Sequence, residues 1–166
     1  MIEKTDQDGN PRPRTRKQIE DLLMARQRML VLLWELAKFD ADEIDNTMKD
    51  ALDDFLEILV DYIASGHFGL HRRISEGKER RAQVVKTAKE IYQRISLTTD
   101  VAMDFSDRSE AADEGRLRSH LTEDLSTVGE EVTTRIELED QLIIAMLGPD
   151  YTIPALSPWD LPFPAT

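Results

Sequence analysis

Four carboxylates recur at helical spacing in one segment of the chain, and they are Asp50, Asp54, Glu57 and Asp61. Steps of four, three and four residues place these side chains on one face of a helix, with Asp53 at its border. Like charges one turn apart repel each other and destabilise a free helix by roughly 0.2 to 0.5 kcal/mol per pair. Such a row is most often a solvated face, and the alternative is a binding surface for a basic partner.

The histidines His67 and His71 are four residues apart, as a pair of metal ligands on one helix would be. Helical bundles that hold carboxylate-bound metals carry a Glu three residues before the His. The residues at that position before the three histidines are Ala64, Phe68 and Leu117. Nucleophile elbows, phosphate loops, dinucleotide fingerprints and deaminase motifs are also absent from the sequence. We therefore predict no catalytic site, no metal and no cofactor.

Three charged residues fall on stripes that are otherwise apolar. Arg135 and Glu139 lie four residues apart on the last such stripe, and Arg26 has an equivalent place on the first. A buried charge must be paired, because breaking a buried pair costs about 3 to 5 kcal/mol. We predict an interior polar network near one end of the fold that draws in Asp61 or Tyr62. The pattern leaves open whether these ions only fix helix register or contact a partner directly.

The net charge of −12 is unevenly distributed along the chain. Residues 12–28 hold six Lys/Arg against two acids, a net +4, whereas residues 100–147 hold thirteen acids against four Arg, a net −9. Affinity for nucleic acid depends on cations that neutralise phosphates, so direct binding to nucleic acid is not expected. The acidic surface either keeps the protein soluble or attracts a basic partner such as a nucleic-acid-binding protein.

The chain has no cysteine, which excludes disulfides and thiolate metal sites. No apolar run approaches the roughly 20 residues of a transmembrane helix, and the segment MIEKTDQDGNPRPR has no apolar signal-peptide core. We expect a cytoplasmic protein that does not contact membranes and is a monomer or weak dimer.

Proline lies only at the two ends of the sequence, at positions 11 and 13 and at 149, 154, 158, 162 and 164. Because proline breaks helix interiors, the span between is predicted to be helical, and the fold class to be all-α. The predicted domains are a flexible segment 1–14, a bundle 15–148 and a Pro-rich extension 149–166. The architecture expected is an antiparallel up-down bundle of four long helices with a short extra helix.

The expected helices follow from apolar periodicity and capping residues. The first runs from Thr15, as N-cap, to Lys38, and the second starts at Asp45 or Asn46 and bends at Ser65-Gly66. A short helix from His67 to Ile74 follows, and the last two run from Glu79 to Asp107 and from Arg116 to Leu147. The side chains expected inside are Ile19, Leu23, Leu30, Leu33, Ala37; Met48, Leu52, Phe55, Leu59, Tyr62; Val84, Ala88, Ile91, Ile95, Thr98, Ala102, Phe105; Leu121, Leu125, Val128, Val132, Leu142, Met146.

Three segments in this order carry a resemblance to a known family. They are Leu23-Met24-Ala25-Arg26 with the apolar run behind it, ALDDFLEILVDYIASGHFGLHRRI at residues 51–74, and RIELEDQLI at residues 135–143. The chain resembles the Rsd/AlgQ family, the bacterial regulators that bind the primary sigma factor of RNA polymerase. It departs from the family pattern at Asp21-Leu22-Leu23, where leucine stands in place of tryptophan. The Pro-rich C-terminus lies outside the resemblance.

The resemblance implies an anti-sigma factor that binds the helix-turn-helix, C-terminal region of the primary sigma factor and keeps it from core polymerase. The residues that it marks as candidates for sigma binding are Asp54, Glu57, Asp61, Tyr62, Ser65, His67 and Phe68. Two alternatives remain, a metal- or cofactor-holding bundle and a regulator of the same fold with a different partner. Metal analysis and capture of partners from a cell lysate distinguish these possibilities.

Overall fold

The computed structural model describes residues 13–40, 43–75, 77, 79 and 81–153, and within them every regular element is helical. The elements in chain order are α1 (Pro13–Ala37), α2 (Asn46–Gly66), a π-helical turn (His67–His71), α3 (Arg72–Ser75), α4 (Ala82–Ala111) and α5 (Glu114–Leu147). The predicted all-α bundle of four long helices is confirmed. Residues 1–12 of the proposed segment 1–14 and residues 154–166 of the proposed extension 149–166 lie outside the described residues, so the domain boundaries stay predictions.

The four long helices pack as a closed ring. Helix α1 packs against α2 and α5, while α4 packs against α5 and α2. Consecutive long helices in such a ring are antiparallel where their connection is short, and Ala112 and Asp113 alone join α4 to α5. Residues of neighbouring helices can therefore face each other inside the bundle, as they do in the polar cluster described below.

The helix ends show which capping predictions were right. Asp45 is the N-cap of α2, and its Oδ1 accepts a hydrogen bond of 2.9 Å from the Met48 amide. The N-cap predicted at Thr15 is wrong, because α1 begins at Pro13 and Thr15 is a buried residue of its first turn. Proline is favoured at a first helical position, where its missing N–H would have no intrahelical partner.

The start of α4 also differs from the prediction. Glu79 belongs to the preceding connection, and α4 begins at Ala82. The buried Glu79 carboxylate accepts hydrogen bonds of 3.0 Å from both the backbone amide and the Nε of Arg81. Arg81 in turn donates a bond of 2.6 Å to the carbonyl of Met146, which ties this connection to the end of α5.

The core stripes predicted for α2, α4 and α5 are all buried. On α1 the prediction is partly wrong, because Leu22 and Leu36 are buried, whereas Leu23 is half-buried and Ala37 is exposed. After Ile19, the next buried position on α1 is Leu22, three residues later, whereas the prediction placed it four residues later, at Leu23. The remaining buried apolar side chains of α1 are Met29, Leu30 and Leu33.

The backbone stays helical through Ser65-Gly66, where the sequence predicted a bend. Gly66 has helical dihedral angles, φ −63° and ψ −46°, and the chain continues directly into the π-helical turn and then α3. A π-helical turn inserts an extra residue into the helical path and is frequent at functional sites. The short extra helix is therefore present as a continuation of α2, and the glycine needs a different explanation.

Candidate functional site

The acidic row on α2 forms an exposed surface, which we call the acidic face and define as Asp50, Asp53, Asp54, Glu57 and Asp61. All five residues are exposed, while the opposite side of α2 contributes Met48, Leu52, Phe55, Leu59 and Tyr62 to the core. Among the described residues, none of the five carboxylates takes part in an ion pair. The acidic face is therefore a concentrated negative surface without internal compensation.

The other candidate residues for sigma binding differ in their exposure to solvent. His67 is exposed on the π-helical turn and Ser65 is half-buried, whereas the side chain of Phe68 lies outside the described part of the chain. Tyr62 is fully buried, and its hydroxyl donates a hydrogen bond to Oε1 of Glu139. Tyr62 therefore lies inside, as its place on the core stripe of α2 predicted, and it does not form part of an exposed binding surface.

Tyr62 belongs to a buried polar cluster, which we define as Arg26, Tyr62, Arg135 and Glu139 together with the half-buried Asp140. Arg135 is 2% exposed and Glu139 is 0% exposed, and Nε of Arg135 lies 3.4 Å from Oε1 of Glu139 as an ion pair. The Arg135 guanidinium also stands over the Tyr62 ring, 6.0 Å from its centroid. Helices α2 and α5 are thus joined through the core by charge as well as by apolar packing.

Two hydroxyls of α4 accept hydrogen bonds from Arg135. Its NH1 group donates hydrogen bonds of 3.2 Å to Oγ1 of Thr98 and 2.7 Å to Oγ1 of Thr99. Thr98 was expected inside from its position on the apolar stripe of α4, and its hydroxyl provides an acceptor that an aliphatic residue would lack. Arg135 therefore connects three of the four long helices at one level of the bundle.

Arg26 joins the cluster from α1 with a partner that the sequence did not identify. The Arg26 side chain is 5% exposed, and its NH1 donates a bond of 2.6 Å to Oδ1 of Asp140. Asp140 follows Glu139 in the segment RIELEDQLI. These two adjacent carboxylates of α5 pair with two different arginines, Glu139 with Arg135 and Asp140 with Arg26. The signal that could have identified the Arg26–Asp140 pair is that Asp140 directly follows Glu139, which the sequence already predicted to lie inside with Arg26.

The charges in the cluster perturb one another because water is excluded. Burial raises the pKa of the Glu139 carboxyl, although the guanidinium groups of Arg135 and Arg26 oppose the shift. Burial also raises the pKa of the Tyr62 hydroxyl well above its usual value, and the charge of Glu139 adds to that effect. Burial disfavours the charged form of Arg26, but nearby Tyr62, Glu139 and Asp140 raise its pKa above the ordinary value. Tyr62 thus stays a neutral donor to Glu139.

Gly66 lies where the cluster approaches the backbone of α2. A β-carbon at this position would be 2.9 Å from Oε2 of Glu139 and 3.2 Å from NH2 of Arg135. Both distances are shorter than ordinary van der Waals contact, so the glycine provides room for the ion pair. This close approach explains the glycine that the sequence pattern presented as a helix break.

The π-helical turn places His71 next to the cluster. The Nε2 atom of His71 is buried and has no hydrogen-bond partner among the described residues. Burial, followed by the charges of Arg135 and His67, lowers the pKa of His71 from 6.5 to about 4. His71 is therefore neutral at physiological pH and forms a polar end to the cavity described next.

A cleft of about 400 Å³ opens to the surface between α2, the π-helical turn and α4. Its walls include the exposed apolar residues Val60, Tyr92 and Met103, and its inner end includes His71 and Arg135. Tyr92 and Met103 lie on none of the predicted apolar stripes. Their positions beside the buried stripe of α4, together with their large apolar side chains, are the signal that could have marked them. The full lining is Val60, Ile63, Ala64, His67, His71, Tyr92, Ile95, Ser96, Thr99, Asp100, Met103 and Arg135.

The described residues do not assemble a metal centre. His67 and His71 line the same cleft, but no group of three or more His, Asp or Glu side chains in the described ranges could hold a metal ion. In the same part of the chain, no helix is long and apolar enough to cross a membrane.

Comparison with known proteins identifies relatives of this chain. Residues 1–147 match the family model described as "Regulator of RNA polymerase sigma(70) subunit, Rsd/AlgQ". The chain is 33% identical over 134 residues to a protein named "Regulator of sigma D" from Shigella dysenteriae serotype 1, covering 79% of this chain and 84% of that protein. Proteins of the same name from Escherichia coli strain K12 / DH10B and Shigella boydii serotype 18 match with the same identity and coverage.

Proposed function

The chain belongs to the Rsd/AlgQ family, and we propose on this basis that it regulates transcription by binding the primary sigma factor of RNA polymerase. Its target in this proposal is the C-terminal, helix-turn-helix region of sigma. Binding there keeps sigma from core polymerase and leaves core enzyme to alternative sigma factors. The protein itself acts without catalysis and without direct contact to nucleic acid.

The observation that carries the proposal is the acidic face of α2. Helix-turn-helix domains grip phosphates through Lys and Arg, so the surface that they present to DNA is basic. Exposed carboxylates without internal partners attract such a surface and steer its approach. The regulator would therefore compete with DNA for the same basic residues of sigma.

The shape of the acidic face also supports binding to a helix. Asp50, Asp54, Glu57 and Asp61 span three turns of α2 at a rise of about 1.5 Å per residue. A straight row of this length can contact successive turns of one partner helix. The remaining surface candidates, His67 and Ser65, lie at the C-terminal end of the row.

Titration calorimetry with the isolated C-terminal region of the primary sigma factor tests the proposal. We expect one-to-one binding that weakens as ionic strength rises, because screening reduces attraction between exposed charges. Sigma factor that lacks this region is the matched control and should bind much more weakly. Truncated sigma factor without its C-terminal region that binds as tightly as full-length sigma would overturn the proposed target.

A competition assay tests the regulatory part of the proposal. Added regulator should lower the amount of primary sigma factor that co-purifies with core polymerase, and Asp61→Ala should reduce this effect. If the regulator binds sigma yet leaves the sigma–core complex unchanged, binding does not occlude core polymerase and the mechanism is wrong.

A further inference from the structure

The cleft between α2 and α4 concentrates apolar surface that the fold leaves in contact with solvent. Tyr92 is 62% exposed, Val60 is 37% exposed and Met103 is 36% exposed, and all three line this one opening. Grouped apolar side chains at a surface mark interaction sites far more often than scattered ones do. The acidic face alone does not account for this apolar surface.

The interior of the cleft favours one kind of occupant. Most of the surface that the cleft exposes is apolar, and its lining includes the buried residues Ile63 and Ile95. Its inner end holds the Arg135 guanidinium, which the Glu139 carboxylate already compensates, and the neutral His71. An apolar side chain therefore fits the cleft better than an anion does.

The rim of the cleft is negatively charged. Asp100 lines the opening from α4. On α2, the exposed Glu57 lies one turn before Val60, and residues three positions apart are neighbours on a helix surface. A partner that places an apolar side chain into the cleft would therefore gain from Lys or Arg residues next to it.

We propose that the cleft receives an apolar side chain from a basic helix of the sigma factor's C-terminal region, an inference that rests on the proposed function. The carboxylates of the rim bind Lys and Arg residues on either side of that anchor. The contact surface then extends from α2 across the cleft to α4, and Tyr92 and Met103 are specificity-determining residues. Buried aromatic and methionine contacts at the centre of an interface commonly carry a large share of binding energy.

Substitutions on α4 test this surface without disturbing the core. Tyr92→Ala and Met103→Ala remove exposed side chains and should weaken binding of the sigma C-terminal region by about tenfold or more. Leu97→Ala is the matched control, since Leu97 is 49% exposed on α4 but is not part of the cleft lining. Leu97→Ala should bind as the parent protein does.

Salt dependence separates the apolar anchor from the charged rim. Tyr92→Ala should weaken binding equally at low and high ionic strength, because the lost contact is apolar. Glu57→Gln should weaken binding mainly at low ionic strength, because its contribution is screened by salt. If Tyr92→Ala instead changed the salt dependence and Glu57→Gln did not, the assigned roles would be overturned.

Site-specific labelling provides a second measurement. The chain contains no cysteine, so Met103→Cys and Leu97→Cys each carry a single polarity-sensitive fluorophore. Addition of the sigma C-terminal region should shift the emission of the label at position 103 to shorter wavelength and leave the label at 97 unchanged. Loss of binding caused by the label at 103 alone would support the cleft in the same way.

The outcomes distinguish this inference from the proposed function. If the parent protein binds the sigma C-terminal region but Tyr92→Ala and Met103→Ala bind equally well, the cleft inference is wrong and the proposed function stands. If the parent protein does not bind that region at all, the proposed function fails and the cleft inference fails with it.

Discussion

A β-carbon placed on Gly66 of α2 would lie 2.9 Å from the carboxylate oxygen Oε2 of Glu139 on α5. The same carboxylate accepts a hydrogen bond from Tyr62 and pairs with Arg135, so it has little freedom to move away. Gly66 therefore fixes how closely α2 can approach the buried polar cluster.

We expect Gly66→Ala to destabilise the protein even though alanine favours helix. The gain in helix propensity is about 1 kcal/mol, but displacement of Glu139 weakens a hydrogen bond to a charged group, which costs about 1.5 to 3 kcal/mol. The free energy of unfolding in urea should fall by about 0.5 to 2 kcal/mol on balance.

Gly115→Ala is the control for this substitution. Gly115 is exposed near the start of α5, and a β-carbon there would meet Oδ1 of Asp113 at an ordinary 3.5 Å. Its urea midpoint should stay the same or rise. A Gly66→Ala variant as stable as Gly115→Ala would show that Glu139 can move freely.

Loss of Arg135 should destabilise the protein, because the buried Glu139 carboxylate then lacks the cation with which it pairs. Arg135→Ala should lower the free energy of unfolding by about 2 to 5 kcal/mol. Arg94→Ala is the control, since Arg94 also bridges α4 and α5, through Glu131, but its side chain is 43% exposed. Its melting temperature should change much less.

A double-mutant cycle identifies the cause of the loss. Glu139→Gln keeps an acceptor for Tyr62 but removes the charge, so Arg135→Ala should cost less in a Glu139→Gln background than in the parent protein. Equal costs in both backgrounds would mean that Arg135 stabilises the fold through Thr98 and Thr99 rather than through the ion pair.

The depressed pKa of His71 predicts a specific pH dependence. The folded protein holds His71 neutral down to about pH 4, whereas the unfolded chain binds a proton near the ordinary value of 6.5. Between these values the unfolded state binds more protons, so stability falls as pH decreases. The contribution of His71 lost between pH 7.5 and pH 5 should be about 2 kcal/mol.

Urea denaturation of the parent protein and His71→Gln at both pH values measures this contribution. The variant lacks the titrating group, so its stability should depend less on pH over this range. Glu139 acts in the opposite direction near its own ordinary pKa, because burial raises its pKa in the folded state. The difference between the two proteins cancels that shared effect. Identical pH dependence would show that water reaches His71 in the folded protein.

The sequence predicted the helices and most of the core because apolar periodicity acts locally. Ile91, Ile95 and Thr98 are buried as their spacing predicts. Predictions that depended on contacts between helices were less complete. The role of Gly66 depends on Glu139, which lies 73 positions later, and the partner of Arg26 is 114 positions away. Propensity alone cannot identify such contacts.

The candidate site shows the same division between local pattern and tertiary packing. The acidic face follows from the spacing of Asp54, Glu57 and Asp61, and all three are exposed. Tyr62 belongs to the core, although the family pattern grouped it with that face. The cleft depends on where α2 meets α4, so Tyr92 and Met103 could not be assigned to it before the packing was known.

The acidic face yields a prediction that separates binding from folding. Asp61 is exposed at the C-terminal end of the face, one turn before Ser65, whereas Asp50 lies near the start of α2. Asp61→Ala should weaken binding of the sigma C-terminal region about tenfold or more by removing a charge partner. Asp50→Ala should have a much smaller effect, because charges at the edge of an interface stay solvated and screened.

Both variants should keep the circular dichroism spectrum and the urea midpoint of the parent protein, because neither side chain contributes to the core. Calorimetry at one low ionic strength then compares their dissociation constants directly. Equal weakening by Asp61→Ala and Asp50→Ala would indicate a general effect of net charge instead of a defined contact. Parent-like binding by Asp61→Ala would place the contact surface elsewhere on the bundle.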